Sequence, residues 1–165
     1  MSDAKQKLGQ RPALIFDLDG TLMHTEPDIR QALNGALSDC GYQTIPTDLA
    51  IPNLYGLLPE IIADTTALIG VPDTAHEALH DAYRAHYANQ AHENSSLFPG
   101  VLDFLHANAQ RGCIMGVCTN KNEAFALQAL ERHGIHHFFV CVTGGNTTVH
   151  AKPHPLPIQH TLTKM

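Results

Sequence analysis

The chain contains the stretch Ala13-Leu14-Ile15-Phe16-Asp17-Leu18-Asp19-Gly20-Thr21-Leu22. The apolar run at residues 13–16 predicts a short buried strand, and two carboxylates follow it. Because side chains alternate along an extended backbone, Asp17 and Asp19 are expected on the same side, where a cation such as Mg²⁺ would offset their repulsion. Gly20 permits a sharp turn and a close approach of backbone N–H groups to an anion. The stretch predicts a metal-assisted phosphoryl site at the carboxyl end of a strand, the alternative being an Asp-Gly turn with solvated carboxylates.

The composition excludes several other classes of protein. The 165 residues carry a formal net charge of −6 with neutral histidines, without the basic clusters that bind nucleic acid or a membrane surface. No apolar run approaches the ~18 residues of a transmembrane helix, and residues 1–11 lack the apolar core of a signal peptide. The four cysteines form no CxxC pair, which favours reduced thiols in a cytoplasmic protein.

The first half of the chain predicts one strand followed by helices. After a loose tail at residues 1–11 and a strand at about 13–18, Thr25 is a candidate helix cap and Pro27 lies in the first turn. Further helices are expected from Pro59 to Ile69 and from Pro72 to about His92. Because no strand pattern occurs between them, residues 24–93 are interpreted as an all-helical insert.

The second half alternates helices and strands. A helix opens at Pro99-Gly100 and ends at Gly112, a strand covers residues 113–118, a helix covers 122–133, and a strand covers 138–142. This order predicts an α/β fold with a parallel sheet and right-handed crossovers. The core is expected to comprise residues 12–23 and 94–165.

Polar groups follow each predicted strand. Residues 17–21 follow the first strand, Thr119-Asn120 follow the second, and Lys152 comes after the third. The carboxyl ends of parallel strands lie at one edge of a sheet, so these groups are expected to meet there. A hydroxyl, an amide and an ammonium are groups that bind phosphate.

These motifs resemble those of the haloacid dehalogenase superfamily. Asp17-Leu18-Asp19-Gly20-Thr21 matches its first motif, Thr119-Asn120 the second and Lys152-Pro153 the third. The resemblance covers roughly residues 12–157 and is greatest to phosphoglycolate phosphatases, through the phrases Leu97-Phe98-Pro99-Gly100, Cys118-Thr119-Asn120-Lys121 and Gly144-Gly145-Asn146-Thr147.

The resemblance implies a role for each matching residue. Asp17 would be the nucleophile and Asp19 the general acid and base, and Mg²⁺ would bind the Asp17 carboxylate and the Asp19 backbone carbonyl. The phosphate-binding group would comprise Gly20, Thr21, Thr119, Asn120 and Lys152. The helical insert would be a cap over the site. The partner would be a small phosphorylated metabolite such as 2-phosphoglycolate, not a nucleic acid or a membrane.

The sequence departs from the family pattern near its end. The family's fourth motif supplies a further acidic magnesium ligand, whereas no Asp follows Asp103 here and Asn146 stands where phosphoglycolate phosphatases usually carry Asp. We therefore expect a chain truncated before the fourth motif, with impaired activity and with a sheet that is incomplete at its C-terminal part. The edge of strand one would be exposed and would favour self-association.

Two other functions remain open. His76-Glu77-Ala78-Leu79-His80 matches the HExxH motif of zinc hydrolases, with both histidines on one face of a helix and His86 or Glu93 as a third ligand. The alternative is a solvent-facing stretch of a cap helix. The chain could also be a non-catalytic family member that keeps a phosphate pocket without turnover.

Overall fold

The computed structural model describes residues 11–90 and 92–165, so the predicted tail at residues 1–11 lies almost entirely outside the described residues. The elements in chain order are β1 (Ala13–Phe16), β2 (Met23–His24), α1 (Glu26–Asp39), α2 (Leu58–Ile69), α3 (His76–Asn89), β3 (Ser96–Leu97), α4 (Val101–Gln110), β4 (Ile114–Cys118), α5 (Glu123–Arg132), β5 (Cys141–Thr143) and α6 (Leu156–Lys164). None of the described helices is both long enough and apolar enough to cross a membrane.

A parallel sheet forms the centre of the fold. Its strand order is β1-β4-β5, with Phe16 opposite Val117 and Cys118 opposite Thr143. The three strands therefore end at the same edge, where Asp17 and Thr119 follow them directly. The predicted α/β class with a parallel sheet is confirmed.

Strand β1 is shorter and more exposed than the sequence predicts. It ends at Phe16 rather than near residue 18, and none of its four residues is buried. Among the described residues β1 pairs with β4 alone, so its second edge has no strand beside it. The turn after β1 is the buried part, since Leu18 is fully buried and Asp19 is 6% exposed.

Two hydrophobic clusters divide the structure. One belongs to residues 29–87 and is built by α1, α2 and α3, with Leu33, Ile62 and Tyr87 at its centre. The other packs against the sheet and contains Leu18, Val117 and Leu130. The bounds 24–93 for a separate cap stay a prediction.

A buried carboxylate joins the two segments that connect these clusters. Asp28, in the first turn of α1, is fully buried. It accepts hydrogen bonds from the Asn94 backbone N–H at 3.3 Å, from the Asn94 amide at 3.1 Å and from the Ser95 hydroxyl. The chain therefore leaves and re-enters the sheet-bearing half at adjacent points.

Four other elements differ from the prediction. The third helix ends at Asn89 rather than His92 and is preceded by a 3₁₀ turn at Asp73–Ala75. The last strand begins at Cys141 rather than 138, because His136–Phe138 forms another 3₁₀ turn. The two-residue strands β2 and β3 pair antiparallel, and the sequence predicted no strand at either place.

The C-terminal region forms helix α6, which the sequence analysis did not predict. Its Thr161 is fully buried and donates a hydrogen bond to the Thr143 hydroxyl at 2.8 Å. A Cβ on Gly116 would lie 3.1 Å from the Met165 sulfur and 3.2 Å from Thr161, so glycine lets α6 approach β4 closely. Helix α6 packs against one face of β4 and β5 and adds no strand beside β1.

Candidate active site

Asp17 stands at the end of β1 and forms an ion pair. One carboxylate oxygen accepts the Leu18 backbone N–H at 2.8 Å, and the other lies 2.9 Å from the Lys152 ammonium. The Asp17 side chain is 40% exposed, whereas that of Lys152 is 22% exposed. Asp17 is therefore oriented by two contacts and open to an incoming electrophile.

Asp19 has a different environment. Its side chain is 4% exposed, and its Oδ1 accepts hydrogen bonds from the Thr25 hydroxyl at 2.6 Å and from the Lys121 ammonium at 2.8 Å. The two carboxylates of this loop therefore differ in their exposure and in the lysine that each of them contacts. This difference suits one of them to nucleophilic attack and the other to proton transfer.

Gly20 and Thr21 shape the turn between the two aspartates and β2. The Gly20 N–H donates to the Met23 carbonyl at 2.8 Å, and the Thr21 N–H donates to the Leu18 carbonyl at 3.2 Å. These N–H groups are engaged within the turn, so phosphate binding through them is not supported. Gly20 has φ +74°, and a Cβ there would lie 2.7 Å from the Tyr55 ring, so glycine is required both by the backbone and by the close ring.

The loop after β4 positions the third motif. The Asn120 side chain accepts the Lys152 backbone N–H at 2.9 Å and donates to the Lys152 carbonyl at 3.1 Å. Thr119 is 2% exposed, and its hydroxyl oxygen accepts the Lys121 N–H at 3.2 Å. Asn120 thus supports Lys152 rather than facing a phosphate alone, which refines the predicted role.

Lys121 is the site residue that sequence analysis missed. Only 9% of it is exposed, its ammonium pairs with Asp19, and it lies 4.8 Å from the centre of the Tyr87 ring. A lysine directly after the Thr119-Asn120 motif was visible in the sequence. The burial of Lys121 was not visible in the sequence, because the Tyr87 ring that covers it belongs to α3.

A cavity of about 230 Å³ opens beside Asp19 and Lys121. Its walls come from two parts of the chain, the helical segment at residues 54–87 and the loops after β4 and β5. Most lining side chains are apolar, including Tyr83 and Phe125, and burial raises the pKa of Tyr83 far above its ordinary range. The polar lining groups are Asp19, His80, Arg84, Asn120, Lys121, Asn122 and Asn146.

Asn146 and Glu123 join the loop after β5 to the start of α5. The Asn146 side chain accepts the Glu123 backbone N–H at 2.8 Å, and the Glu123 carboxylate accepts a hydrogen bond from the Thr147 hydroxyl. Glu123 is therefore engaged in holding this loop.

The oxygen atoms near Asp17 fit a partial magnesium site. The Asp17 carboxylate is half-exposed, and among the described residues no backbone N–H donates to the Asp19 carbonyl oxygen. These are the two ligands that the family resemblance implies. No group of three or more His, Cys, Asp or Glu side chains that could hold a metal ion occurs in the described part of the chain. Water and substrate phosphate would complete the octahedron that Mg²⁺ requires.

The HExxH residues do not converge on a metal position. The His76 ring lies 2.8 Å from the Thr66 hydroxyl and 3.6 Å from Asp73. His80 lies 3.7 Å from Asp81, and Glu77 is exposed. His86 is bound to Asp39 at 2.8 Å. Within residues 11–90 and 92–165, the geometry gives the zinc alternative no support.

Comparison with known proteins identifies the family. The model of the haloacid dehalogenase-like hydrolases matches residues 14–165. The chain belongs to this family. The phosphoglycolate phosphatase of Rhodospirillum rubrum is 36% identical over 154 residues, which cover 89% of this chain and 64% of that protein. The phosphoglycolate phosphatase of Cereibacter sphaeroides strain ATCC 17025 is 35% identical over 152 residues and is covered to 69%.

A solved family structure has the same fold. A predicted phosphoglycolate phosphatase from Haemophilus somnus superposes with a TM-score of 0.84 at 25% identity, over 95% of this chain and 72% of the other. The chain spans about two thirds of the length of the curated relatives from Rhodospirillum rubrum and Agrobacterium fabrum.

Proposed function

We propose that this haloacid dehalogenase-like hydrolase is a Mg²⁺-dependent phosphatase of small phosphomonoesters such as 2-phosphoglycolate. The observation that carries the proposal is the pair of unlike carboxylates on one loop. Asp17 is half-exposed and bound to Lys152 at 2.9 Å, and Asp19 is buried against Lys121 at 2.8 Å. The names of the relatives from Rhodospirillum rubrum and Cereibacter sphaeroides support the choice of substrate.

In the first half of the proposed reaction, an Asp17 carboxylate oxygen attacks phosphorus. The bond between phosphorus and the ester oxygen breaks, and its electron pair goes to the leaving alcohol. A protonated Asp19 gives its proton to that oxygen. Lys152 and Thr119 bind the phosphoryl oxygens and offset their developing charge. An aspartyl-phosphate on Asp17 results.

In the second half, water attacks the phosphorus of the aspartyl-phosphate. The Asp19 carboxylate takes the proton of that water, and the bond between phosphorus and the Asp17 oxygen breaks. Inorganic phosphate leaves and the Asp17 carboxylate is restored. When bound, Mg²⁺ would be held by the Asp17 carboxylate and the Asp19 carbonyl oxygen and would neutralise phosphoryl charge.

The cavity supports a small substrate. A volume of about 230 Å³ accommodates a phosphomonoester of a few carbon atoms, and its largely apolar walls lie beside Asp19. We propose a cytoplasmic location, supported by four free cysteines that include the buried Cys118 beside the site. Burial raises the pKa of the Cys118 thiol, so it stays protonated at neutral pH.

The test is phosphate release from 2-phosphoglycolate with and without Mg²⁺. We expect Mg²⁺-dependent turnover in the wild type and its complete loss in Asp17→Asn, with an unchanged circular dichroism spectrum. Asp48→Asn, which removes an exposed loop carboxylate, is the matched control and should keep wild-type turnover. Turnover by Asp17→Asn would overturn the assignment of the nucleophile. A folded wild type that binds phosphate without turnover would establish the non-catalytic alternative.

A further inference from the structure

Tyr55 forms part of the walls of two neighbouring cavities. The inner cavity is the space of about 230 Å³ beside Asp19 and Lys121. The outer cavity has a volume of about 490 Å³ and is more open to solvent. Leu54, Tyr55 and Gly56 line both of them. Because the two cavities meet at this one short segment, the large side chain of Tyr55 is placed to separate them.

The Tyr55 ring packs on the catalytic loop at the boundary. A Cβ at Gly20 would lie 2.7 Å from Cε2 and 3.0 Å from Cδ2 of the ring, so the ring rests on backbone that carries no side chain. Burial raises the pKa of the Tyr55 hydroxyl, the charges of Glu26 and Asp19 raise it further, and the charge of Lys121 lowers it. Glu26 lines the outer cavity and Asp19 the inner one. The neutral hydroxyl therefore lies near a carboxylate of each cavity.

The backbone around Tyr55 is held by its neighbours. Within the turn at residues 53–56, the Gly56 N–H donates to the Asn53 carbonyl at 2.7 Å. The Asn53 amide donates to Asp64 of α2 at 2.7 Å, and Leu54 is buried in the cluster built by the helices. Tyr55 is 38% exposed, and among the described residues no hydrogen bond holds its hydroxyl. Truncation of this side chain therefore removes the boundary and keeps the contacts that fix the turn.

The outer cavity is suited to an uncharged chain. Its walls include the apolar side chains of Ile51 and Leu54. Its carboxylate, Glu26, is already paired with Arg30 at 3.0 Å, and there is no cation among the described residues that line it. A negatively charged group would find no partner there. An alkyl group that extended past the Tyr55 ring would bury apolar surface against these walls.

We infer that Tyr55 limits the length of the leaving group by closing the inner cavity towards the outer one. The inference rests on the proposed phosphatase function and deepens it. With the phosphate at Asp17 and Lys152, the leaving alcohol lies in the inner cavity and ends at the Tyr55 ring. Without the ring, the two cavities form one space, and a longer uncharged chain extends into the outer part. Tyr55 thus determines specificity by excluding long substrates.

The experiment compares ethyl phosphate with hexyl phosphate, which carry the same charge and differ in chain length. In the wild type we expect kcat/KM for ethyl phosphate to be at least ~10-fold higher than that for hexyl phosphate. Tyr55→Ala should reduce this ratio to less than ~3, mainly through a lower KM for hexyl phosphate. Tyr55→Phe keeps the ring on Gly20 and should keep the wild-type ratio.

A control variant separates removal of the boundary from simple enlargement of the site. Leu57 lines the inner cavity and not the outer one, so Leu57→Ala widens the inner cavity and leaves the Tyr55 ring in place. The ratio of the two kcat/KM values should stay above ~10 in this variant. An equal fall of the ratio in Leu57→Ala and Tyr55→Ala would overturn the inference. If Tyr55→Ala does not fold, equal wild-type kcat/KM values for the two esters would overturn it.

A binding measurement distinguishes failure of this inference from failure of the proposed function. If 2-phosphoglycolate and both alkyl esters are not turned over, the phosphatase proposal fails. Calorimetry on Asp17→Asn with Mg²⁺ should still show tighter binding of ethyl phosphate than of hexyl phosphate, and Tyr55→Ala in that background should abolish the difference. A difference that persists in the double variant, or its absence in Asp17→Asn alone, would refute the length limit set by Tyr55.

Discussion

The side-chain amide of Asn120 binds both the N–H and the C=O of Lys152, at 2.9 Å and 3.1 Å. The two residues are 32 positions apart, and they follow neighbouring strands of the sheet. An amide is the side chain that supplies an acceptor and a donor in one plane. The backbone of Lys152 is therefore fixed at the point from which its ammonium reaches Asp17.

Replacing Asn120 by alanine should weaken catalysis through Lys152. Without the amide, the backbone of Lys152 loses both of these hydrogen bonds, and its ammonium becomes less well placed. We expect kcat/KM to fall by ~10- to 100-fold, measured as phosphate release. Asn34→Ala is the matched control, because it removes an amide that accepts the Ile45 backbone N–H at 2.8 Å and does not line the cavity. It should cost about 1 kcal/mol of stability and leave kcat/KM unchanged.

Magnesium should bind weakly in the absence of substrate. The assigned protein ligands are the Asp17 carboxylate and the Asp19 carbonyl oxygen, so water has to supply the other positions. Calorimetry should give a Kd for Mg²⁺ at least ~10-fold weaker than that of a family member that carries the fourth motif, and inorganic phosphate should narrow the difference between the two Kd values. Equal dissociation constants without phosphate would contradict this expectation.

Two substitutions at Tyr87 should have opposite effects on stability. Its hydroxyl is buried and has no hydrogen-bond partner among the described residues, while its ring stacks on Tyr83 at 5.4 Å and faces Lys121. Tyr87→Phe removes the unpaired hydroxyl and should stabilise the fold by up to about 1 kcal/mol. Tyr87→Leu also removes the ring and should destabilise it by about 2 kcal/mol or more. Urea denaturation measures both, and a loss in Tyr87→Phe would show that the hydroxyl has a partner.

His92 should make stability fall in mild acid. It is fully buried with φ +51°, and neither ring nitrogen has a hydrogen-bond partner within the described residues. Burial lowers its pKa below the ordinary value of 6.5, and the charge of Lys121 lowers it further, whereas the nearby Gln128 side chain and the charge of Asp28 act in the opposite direction. As the pH falls below 6.5, the unfolded chain takes up the proton first, so the free energy of unfolding decreases until the folded pKa is passed.

The measurement is urea denaturation of wild type and His92→Phe between pH 7.5 and ~5. In this pH range, His92 should contribute at most about 1.4 kcal/mol per pH unit to the slope of the free energy of unfolding. Replacement by phenylalanine should remove that contribution. His106→Gln, at an exposed histidine of α4, should remain parallel to wild type. If the free energy of unfolding of His92→Phe changed with pH in the same way as that of the wild type, His92 would have the same pKa in the folded and the unfolded state.

Self-association through β1 stays a prediction. Phe104 is 51% exposed beside Phe16, with ring centres 6.1 Å apart, so an apolar surface adjoins the edge of β1 that has no neighbour among the described strands. Pairing with β1 of a second copy would cover both the edge and the ring. Phe104→Glu should weaken the dimer, while Val149→Glu, at an 87% exposed valine, should not. A wild-type monomer at ~100 μM in light scattering would refute the prediction.

Local patterns were enough to predict most of the fold. The predicted strand at 113–118 matches β4 within one residue, the apolar run at 13–16 forms β1, and Gly112, which ends a predicted helix, lies two residues after the observed end of α4. Helix α6 was missed because its prolines suggested an irregular segment, yet Pro157 lies in the first turn, where no N–H is needed. β2 and β3 have two residues each, too few for any periodicity to be recognised.

The positions of the site residues could be predicted only where the end of a strand determines them. Asp17, Thr119 and Lys152 follow strands of one sheet, so their placement at one edge could be inferred. The role of Lys121 depends on Tyr87 from a distant helix, and the engagement of the Gly20 and Thr21 N–H groups depends on turn geometry. Neither contact has a signal in the order of residues.

The hydrogen bonds that the Asp28 carboxylate accepts determine how the helical segment could move. The two connections between the hydrophobic clusters are tied by one buried carboxylate, so they cannot bend independently. We expect them to act as a single pivot, with one axis passing near Asp28. Rotation about that axis would swing Tyr55 and Arg84 away from the sheet while Asp17, Asn120 and Lys152 kept their mutual positions, so opening the cavity would not disassemble the phosphate-facing groups.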